Sequence, residues 1–184
     1  MNDKLIPLNI SLAALFIIVS LVFSRLIPHP PNFTPILATG IFAPYVIRSK
    51  YVSIGIVLLA MIISDLFIGF HRLMLFVYLP IILSLLLSDY LKSKIRTLLN
   101  FFIIGSIGTV IFFVISNFGV WLINDFYTFD LAGLMECYVM AIPFLKNTLF
   151  STLIYLFAFT IIYKVILNIT EKNFNFKLYW HTLN

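Results

Sequence analysis

Residues 51–70 read YVSIGIVLLAMIISDLFIGF. A helix rises about 1.5 Å per residue, so a run of this length covers roughly 30 Å, the thickness of a bilayer's hydrocarbon core. It holds one ionisable side chain, Asp65. The run predicts a transmembrane helix, and the carboxylate inside it predicts a site. An unpaired carboxylate facing lipid costs on the order of 1 to 3 kcal/mol, so Asp65 is expected to face protein or a wet cavity.

Outward from this stretch, polar residues mark five more apolar runs, at 5–24, 33–47, 73–91, 97–117 and 144–164. The expected fold is all-α: a polytopic bundle of six transmembrane helices forming one domain over residues 1–184, with an outer loop at 118–143. Composition agrees. Hydrophobic residues make up 62% and charged residues 10% of the chain, with a mean hydropathy of +1.09, whereas about a quarter of a soluble domain is charged. The run at 33–47 is short and carries Pro35 and Pro44, which leaves a five-span alternative with a re-entrant second segment. The first run is too long for a signal peptide's apolar region and ends in Ser24-Arg25-Leu26, not in a small-x-small cleavage site, so it reads as an anchor. A lone Cys137 excludes an internal disulfide.

Cations in the loops orient the bundle. With the N-terminus inside, Lys4, Arg48, Lys50, Lys92, Lys94, Arg96, Lys164, Lys172 and Lys177 fall on the inner side, and Arg25, Arg72 and Lys146 on the outer. This nine-to-three bias places both termini in the cytoplasm. The localisation expected is a bacterial cytoplasmic membrane. The net charge of +5 is thereby explained by topology, and no nucleic-acid partner is expected.

Polar residues then gather at the outer end. Arg25, His29 and Asn32 lie in the first outer loop, Asp65, His71 and Arg72 about the second, and Asn117, Trp121, Lys146 and Asn147 about the third. Asp65, Gly69 and Arg72 follow helical spacing, as do Asn117 and Trp121. The segment Pro28-His29-Pro30-Pro31-Asn32 cannot be helical, because each proline forces its predecessor towards extended geometry. It should form a stiff strap over the outer mouth, holding an imidazole and an amide at low entropic cost.

Plainer readings stand beside these. Arg25 and Arg72 suit interfacial anchors, Trp121 and Tyr78 suit an aromatic belt, and Asp65 suits a structural ion pair with Arg25 or Lys146. Two histidines without a carboxylate at ligand spacing make a weak metal signal, and Cys137 suits an inert apolar filler. Gly105 and Gly108 with Ser106 and Thr109 read as a close helix-packing stretch. No Walker A, H-E-x-x-H or G-x-S-x-G sequence is present. No catalytic residue, metal or cofactor is assigned, and ATP-driven work would need a partner.

The run Arg25-Leu26-Ile27-Pro28-His29-Pro30-Pro31-Asn32-Phe33-Thr34-Pro35, with Ser64-Asp65, Gly69-Phe70-His71, Val77-Tyr78, Asn117-Phe118-Gly119-Val120-Trp121, Cys137-Tyr138, Ala141-Ile142-Pro143-Phe144 and Asn147-Thr148, resembles a family of small, uncharacterised bacterial integral membrane proteins. That family in turn resembles the substrate-capturing S components of energy-coupling factor vitamin transporters. The resemblance implies six helices, an outward-facing site and an ATPase-driven partner complex. S components commonly carry Ala-x-x-x-Ala on the first helix, where this chain has Ala13-Ala14 with Ser20 and Ser24.

The expectation is a binding and uptake protein that captures a small vitamin-like or cofactor-like solute at the outer face. Two rivals belong to other classes. One is a membrane enzyme acting on a lipid-linked substrate at the outer leaflet, with Asp65 and a histidine as acid and base. The other is an assembly subunit whose polar residues only lock helices together.

Overall fold

The computed structural model describes the backbone over residues 6–47, 49–95, 97–123 and 125–182 and, within these, side chains at 15 and from 17 to 165. All regular structure found there is helical: α1 (Ile6–Leu26), α2 (Ile36–Ile47), α3 (Lys50–Ile68), α4 (Met74–Leu91), α5 (Leu98–Ile123), α6 (Leu131–Met140) and α7 (Ile142–Thr182). Among the described residues, four segments are long and apolar enough to cross a membrane, namely α3, α4, α5 and the Ile142–Val165 part of α7. Their outward faces carry apolar side chains such as Leu66, Phe67, Leu75, Leu99 and Val110. Such a surface suits a hydrocarbon solvent, as expected of a membrane protein. The side chains of Lys4, Arg48, Arg96, Lys172 and Lys177, which entered the charge count, lie outside the described residues.

The short second segment proves to be the hub. Helix α2 packs against α3, α4, α5 and α7, and every residue from Ile36 to Pro44 is buried. Its 12 residues reach only about 18 Å. Wrapped by neighbours, it has little need to match the bilayer's thickness or to present an unbroken apolar face to lipid. Pro44 falls inside it and Pro35 just before it, where a missing N–H costs little. Cross-helix polar contacts hold the hub in register: Ser88 Oγ of α4 donates to the Ile41 carbonyl at 2.5 Å.

Helix α5 lies close to its neighbours at three glycines, the third being Gly119, where a Cβ would run into the Phe76 side chain on α4. A Cβ on Gly105 would come within 2.6 Å of Leu156 on α7, and one on Gly108 within 3.0 Å of Ile41 and 3.1 Å of Ser84. The nearby hydroxyls turn back on their own helix, with Thr109 Oγ1 donating to the Gly105 carbonyl and Ser106 Oγ to that of Phe102, both at 2.9 Å. Small residues thus let backbones approach while the Ser106 and Thr109 hydroxyls stay paired; Thr152 Oγ1 of α7, beside Gly105, is buried without a partner among the described residues. Between α2, α5 and α7, aromatic rings fill the core, with Phe42 against Phe101 at 5.2 Å and against Phe159 at 5.7 Å.

Several helix ends lie beyond the apolar runs. Helix α5 continues to Ile123, past the run's end at 117, α7 continues to Thr182, past 164, and the segment between them contains α6. Its start is explained by Asp130, whose carboxylate accepts the Gly133 N–H at 2.7 Å as an N-cap.

Candidate functional site

One pole of the bundle is organised by an ion pair that joins three helices. Arg25, at the end of α1, places Nη2 2.6 Å from Asp65 Oδ1 of α3, while Tyr78 of α4 donates its hydroxyl to Oδ2 at 2.5 Å. The Nη2 contact is ionic and not an aligned hydrogen bond, since Oδ1 has no donor directed at it. Arg25 Nη1 donates to the Met61 carbonyl at 3.1 Å and to Ser64 Oγ. The Asp65 side chain is 0% exposed and that of Arg25 14%. A buried carboxylate is tolerable only when paired and hydrogen-bonded, and here it has both.

The strap is built as its prolines require. The Phe33 N–H donates to the Pro30 carbonyl at 2.9 Å, and Asn32 has φ +62°. Proline at the second position and asparagine in the left-handed region at the third are the signature of a type II turn. Helix α7 fastens this turn. Asn147 Nδ2 donates to the Pro31 carbonyl at 3.0 Å and Ser151 Oγ to that of Asn32 at 3.5 Å. His29 Nδ1 lies 2.8 Å from the Pro30 carbonyl. A carbonyl only accepts, so Nδ1 carries the proton in that contact.

Beneath the strap lies a cavity of about 340 Å³. Its polar lining is Arg25, His29, Asn32, Thr34 and Thr148. Its apolar lining comes from Ile36 and Leu37 of α2, Met61 and Ile68 of α3, Val77 and Ile81 of α4, and Phe112 of α5. A mostly apolar chamber with a few convergent polar groups is the usual make-up of a small-molecule site, and this volume is near the lower end of the roughly 300–1,000 Å³ range. Ends of α1, α2, α3, α4 and α7 meet around it. These sequence-distant termini therefore share one pole of the bundle.

The structure divides the ten candidate residues. Arg25, His29 and Asn32 line the cavity. Asp65 pairs with Arg25 and accepts the Tyr78 hydroxyl, and it is not among the residues that line the cavity. Asn147 acts on the strap from outside. Arg72 does not share a face with Asp65: α3 stops at Ile68, and Gly69 turns the chain away at φ +107° while its N–H donates to the Asp65 carbonyl. His71 and Arg72 are exposed in the turn that follows, and Lys146 is exposed on α7. Asn117 Nδ2 bonds the Phe113 carbonyl of its own helix at 2.8 Å. Trp121 donates to the Thr128 carbonyl at 3.0 Å and stacks on Phe129 at 4.4 Å, so it braces the outer loop.

Thr34, Thr148 and Phe112 line the cavity without having been singled out as site residues, and they carry no signal of their own. Tyr78, read as suited to an aromatic belt, bonds Asp65, and a signal for this exists: it and Asp65 lie at nearly equal chain distance on either side of His71, so an antiparallel helix pair brings them to one depth. Cys137 is buried on α6, its thiol donating to the Asn117 carbonyl at 3.4 Å, and burial pushes it above the ordinary thiol range. It is held as a protonated thiol. Among the described residues no three His, Cys, Asp or Glu side chains converge on a common point.

A model of a single protein family matches residues 6–174. The chain belongs to that family, DUF6580, a family of unknown function. No curated protein and no solved structure matches it. For this DUF6580 member the cavity beneath the strap is therefore the chief guide to function.

Proposed function

We propose that this DUF6580 protein is a membrane-embedded binding and uptake protein that captures a small vitamin-like or cofactor-like solute in the cavity beneath the strap. In this reading the chain crosses a bacterial cytoplasmic membrane six times with both termini inside, and α6 lies on the outer side. The cation bias orients it, and the shared pole of five helix ends agrees with alternating passes. The resemblance in size, six-helix layout and outward-facing site to S components of energy-coupling factor transporters points the same way, and powered uptake would require an ATPase partner.

The cavity itself carries the proposal. It is bordered by a segment stiffened by three prolines, walled by apolar side chains, and supplied with a guanidinium, an imidazole, an amide and two hydroxyls. Preorganised polar groups in a half-dry chamber bind small solutes with little loss of their own freedom. At about 340 Å³ the space suits a compact solute better than a lipid-linked chain. The lipid-enzyme alternative needs Asp65 beside a histidine, whereas Asp65 is engaged by Arg25 and Tyr78. The assembly-subunit alternative gives the cavity no use.

Native mass spectrometry of the protein purified from its own host tests the reading. A retained small molecule, lost when the cavity is filled by Leu37→Trp, is the expected result. A ligand-free protein, stable and indifferent to that substitution across a vitamin and cofactor library, would overturn it.

A further inference from the structure

Resting on the reading of the cavity as a solute site, the geometry points to a narrower ligand class: a small carboxylate that enters with one proton, its carboxylate on Arg25 and the proton on Nε2 of His29.

Charge accounting supports this. Of the residues lining the cavity, α1 contributes Arg25 and the strap contributes His29, while α2, α3, α4, α5 and α7 contribute no titratable group. Asp65 of α3 pairs with Arg25, Tyr78 of α4 bonds Asp65, and neither lines the chamber. The solute therefore meets only the cationic end of the Arg25–Asp65 pair, although the pair as a whole is neutral.

Arg25 has capacity to spare. A guanidinium has five N–H groups. Two on Nη1 are taken by Met61 and Ser64, and Nη2 faces Asp65. Among the described residues Nε has no partner, and it forms with Nη2 one of the forked edges that accept a carboxylate. Such a ligand would bring one uncompensated negative charge into a chamber of low polarity, which is costly.

His29 can supply the compensation. Its Nδ1 is engaged at the Pro30 carbonyl, so Nε2 is the ring nitrogen left to a ligand, and in the neutral ring it holds a lone pair. A proton taken from solvent onto Nε2 turns that acceptor into a charged donor. The sum of Arg25, Asp65, His29 and the ligand carboxylate then returns to zero. A neutral solute gains nothing from this proton, which is what separates the two ligand classes.

The test uses the full-length chain in detergent and calorimetric titration with matched pairs: propionate and propionamide, benzoate and benzamide, nicotinate and nicotinamide, biotin and biotinamide. Each is measured near about pH 6 and about pH 8, an interval over which an ordinary imidazole loses most of its charge, in two buffers of different ionisation enthalpy. The expected result is a carboxylate that binds tighter than its amide by about tenfold or more at the lower pH. Its affinity should weaken as pH rises, by at most about tenfold per unit, with uptake of up to one proton. In His29→Gln the carboxylate should still be preferred, while the pH dependence and the proton uptake disappear.

An amide that binds as tightly as its carboxylate, or carboxylate binding without proton uptake, would overturn the ligand class and leave the solute site standing. Failure of every carboxylate and every amide to bind would overturn both. Because His29 lies exposed on the strap and outside the core, its replacement tests binding with the fold intact.

Discussion

Arg25 and Asp65 meet 2.6 Å apart across α1 and α3, and this pair is the keystone of the pole that holds the cavity. Helix α1 packs chiefly on α3, so the ion pair bears on how the first helix sits over the cavity. Asp65→Asn should leave the mostly buried Arg25 without its counter-charge and lower stability by about 3 kcal/mol. Thermal unfolding in detergent, followed by loss of helical circular dichroism, checks this. Tyr78→Phe removes one hydrogen bond to a charged group and should cost less, about 1.5 kcal/mol. An Asp65→Asn variant as stable as the parent protein would show that the pair does not hold α1.

The strap depends on one residue in a left-handed conformation. Asn32→Gly should be tolerated, because glycine adopts φ +62° without strain, whereas Asn32→Val should destabilise the turn by about 1 to 2 kcal/mol. Protease cleavage within residues 28–34 gives the readout: faster for the valine variant, unchanged for glycine. Equal cleavage of both would remove the turn from the account of the roof.

Helix α7 clamps that turn from the side. In Asn147→Ala the Pro31 carbonyl loses its donor, so the strap should exchange more freely with solvent while the bundle core stays intact. Hydrogen exchange of the Phe33 amide, compared with amides of α5, reports the difference. A rise of several-fold at Phe33 with α5 unchanged is expected.

At the tip of the outer loop, the Asp130 carboxylate caps α6 by accepting the Gly133 N–H and the Thr128 hydroxyl, and these bonds hold it below the ordinary carboxylate range. A group whose folded pKa is depressed contributes stability above its unfolded pKa and loses it as pH falls through the folded value. The cap should therefore be constant from neutral pH down to about pH 4 and weaken below it. Trp121 fluorescence reports this, because its indole donates to the Thr128 carbonyl and stacks on Phe129. Asp130→Asn should abolish the acid transition.

Depth was what the sequence could convey about the site. Asp65, five residues from the end of its apolar run, had to be paired, and Arg25 was one of two partners that its depth allowed. The prolines of residues 28–31 ruled out helix there and foretold a stiff cover. Azimuth was beyond reach. Nothing in the local spacing shows that Gly69 ends α3 with a turn that takes Arg72 off the Asp65 face, or that Asn117 bonds its own helix instead of a neighbour.

The amino-acid sequence alone determined that this chain folds as apolar helices with polar residues gathered at one end, since helix length and the cost of a bare charge in hydrocarbon depend only on which residues follow one another. Tertiary structure decided that the short proline-bearing second helix is the hub, that Asp65 braces Arg25 instead of facing the cavity, and that Thr34, Thr148 and Phe112 complete the lining. Those outcomes depend on how helices rotate and pack. Rotation is set by side-chain volume summed over many distant contacts, which no local pattern encodes.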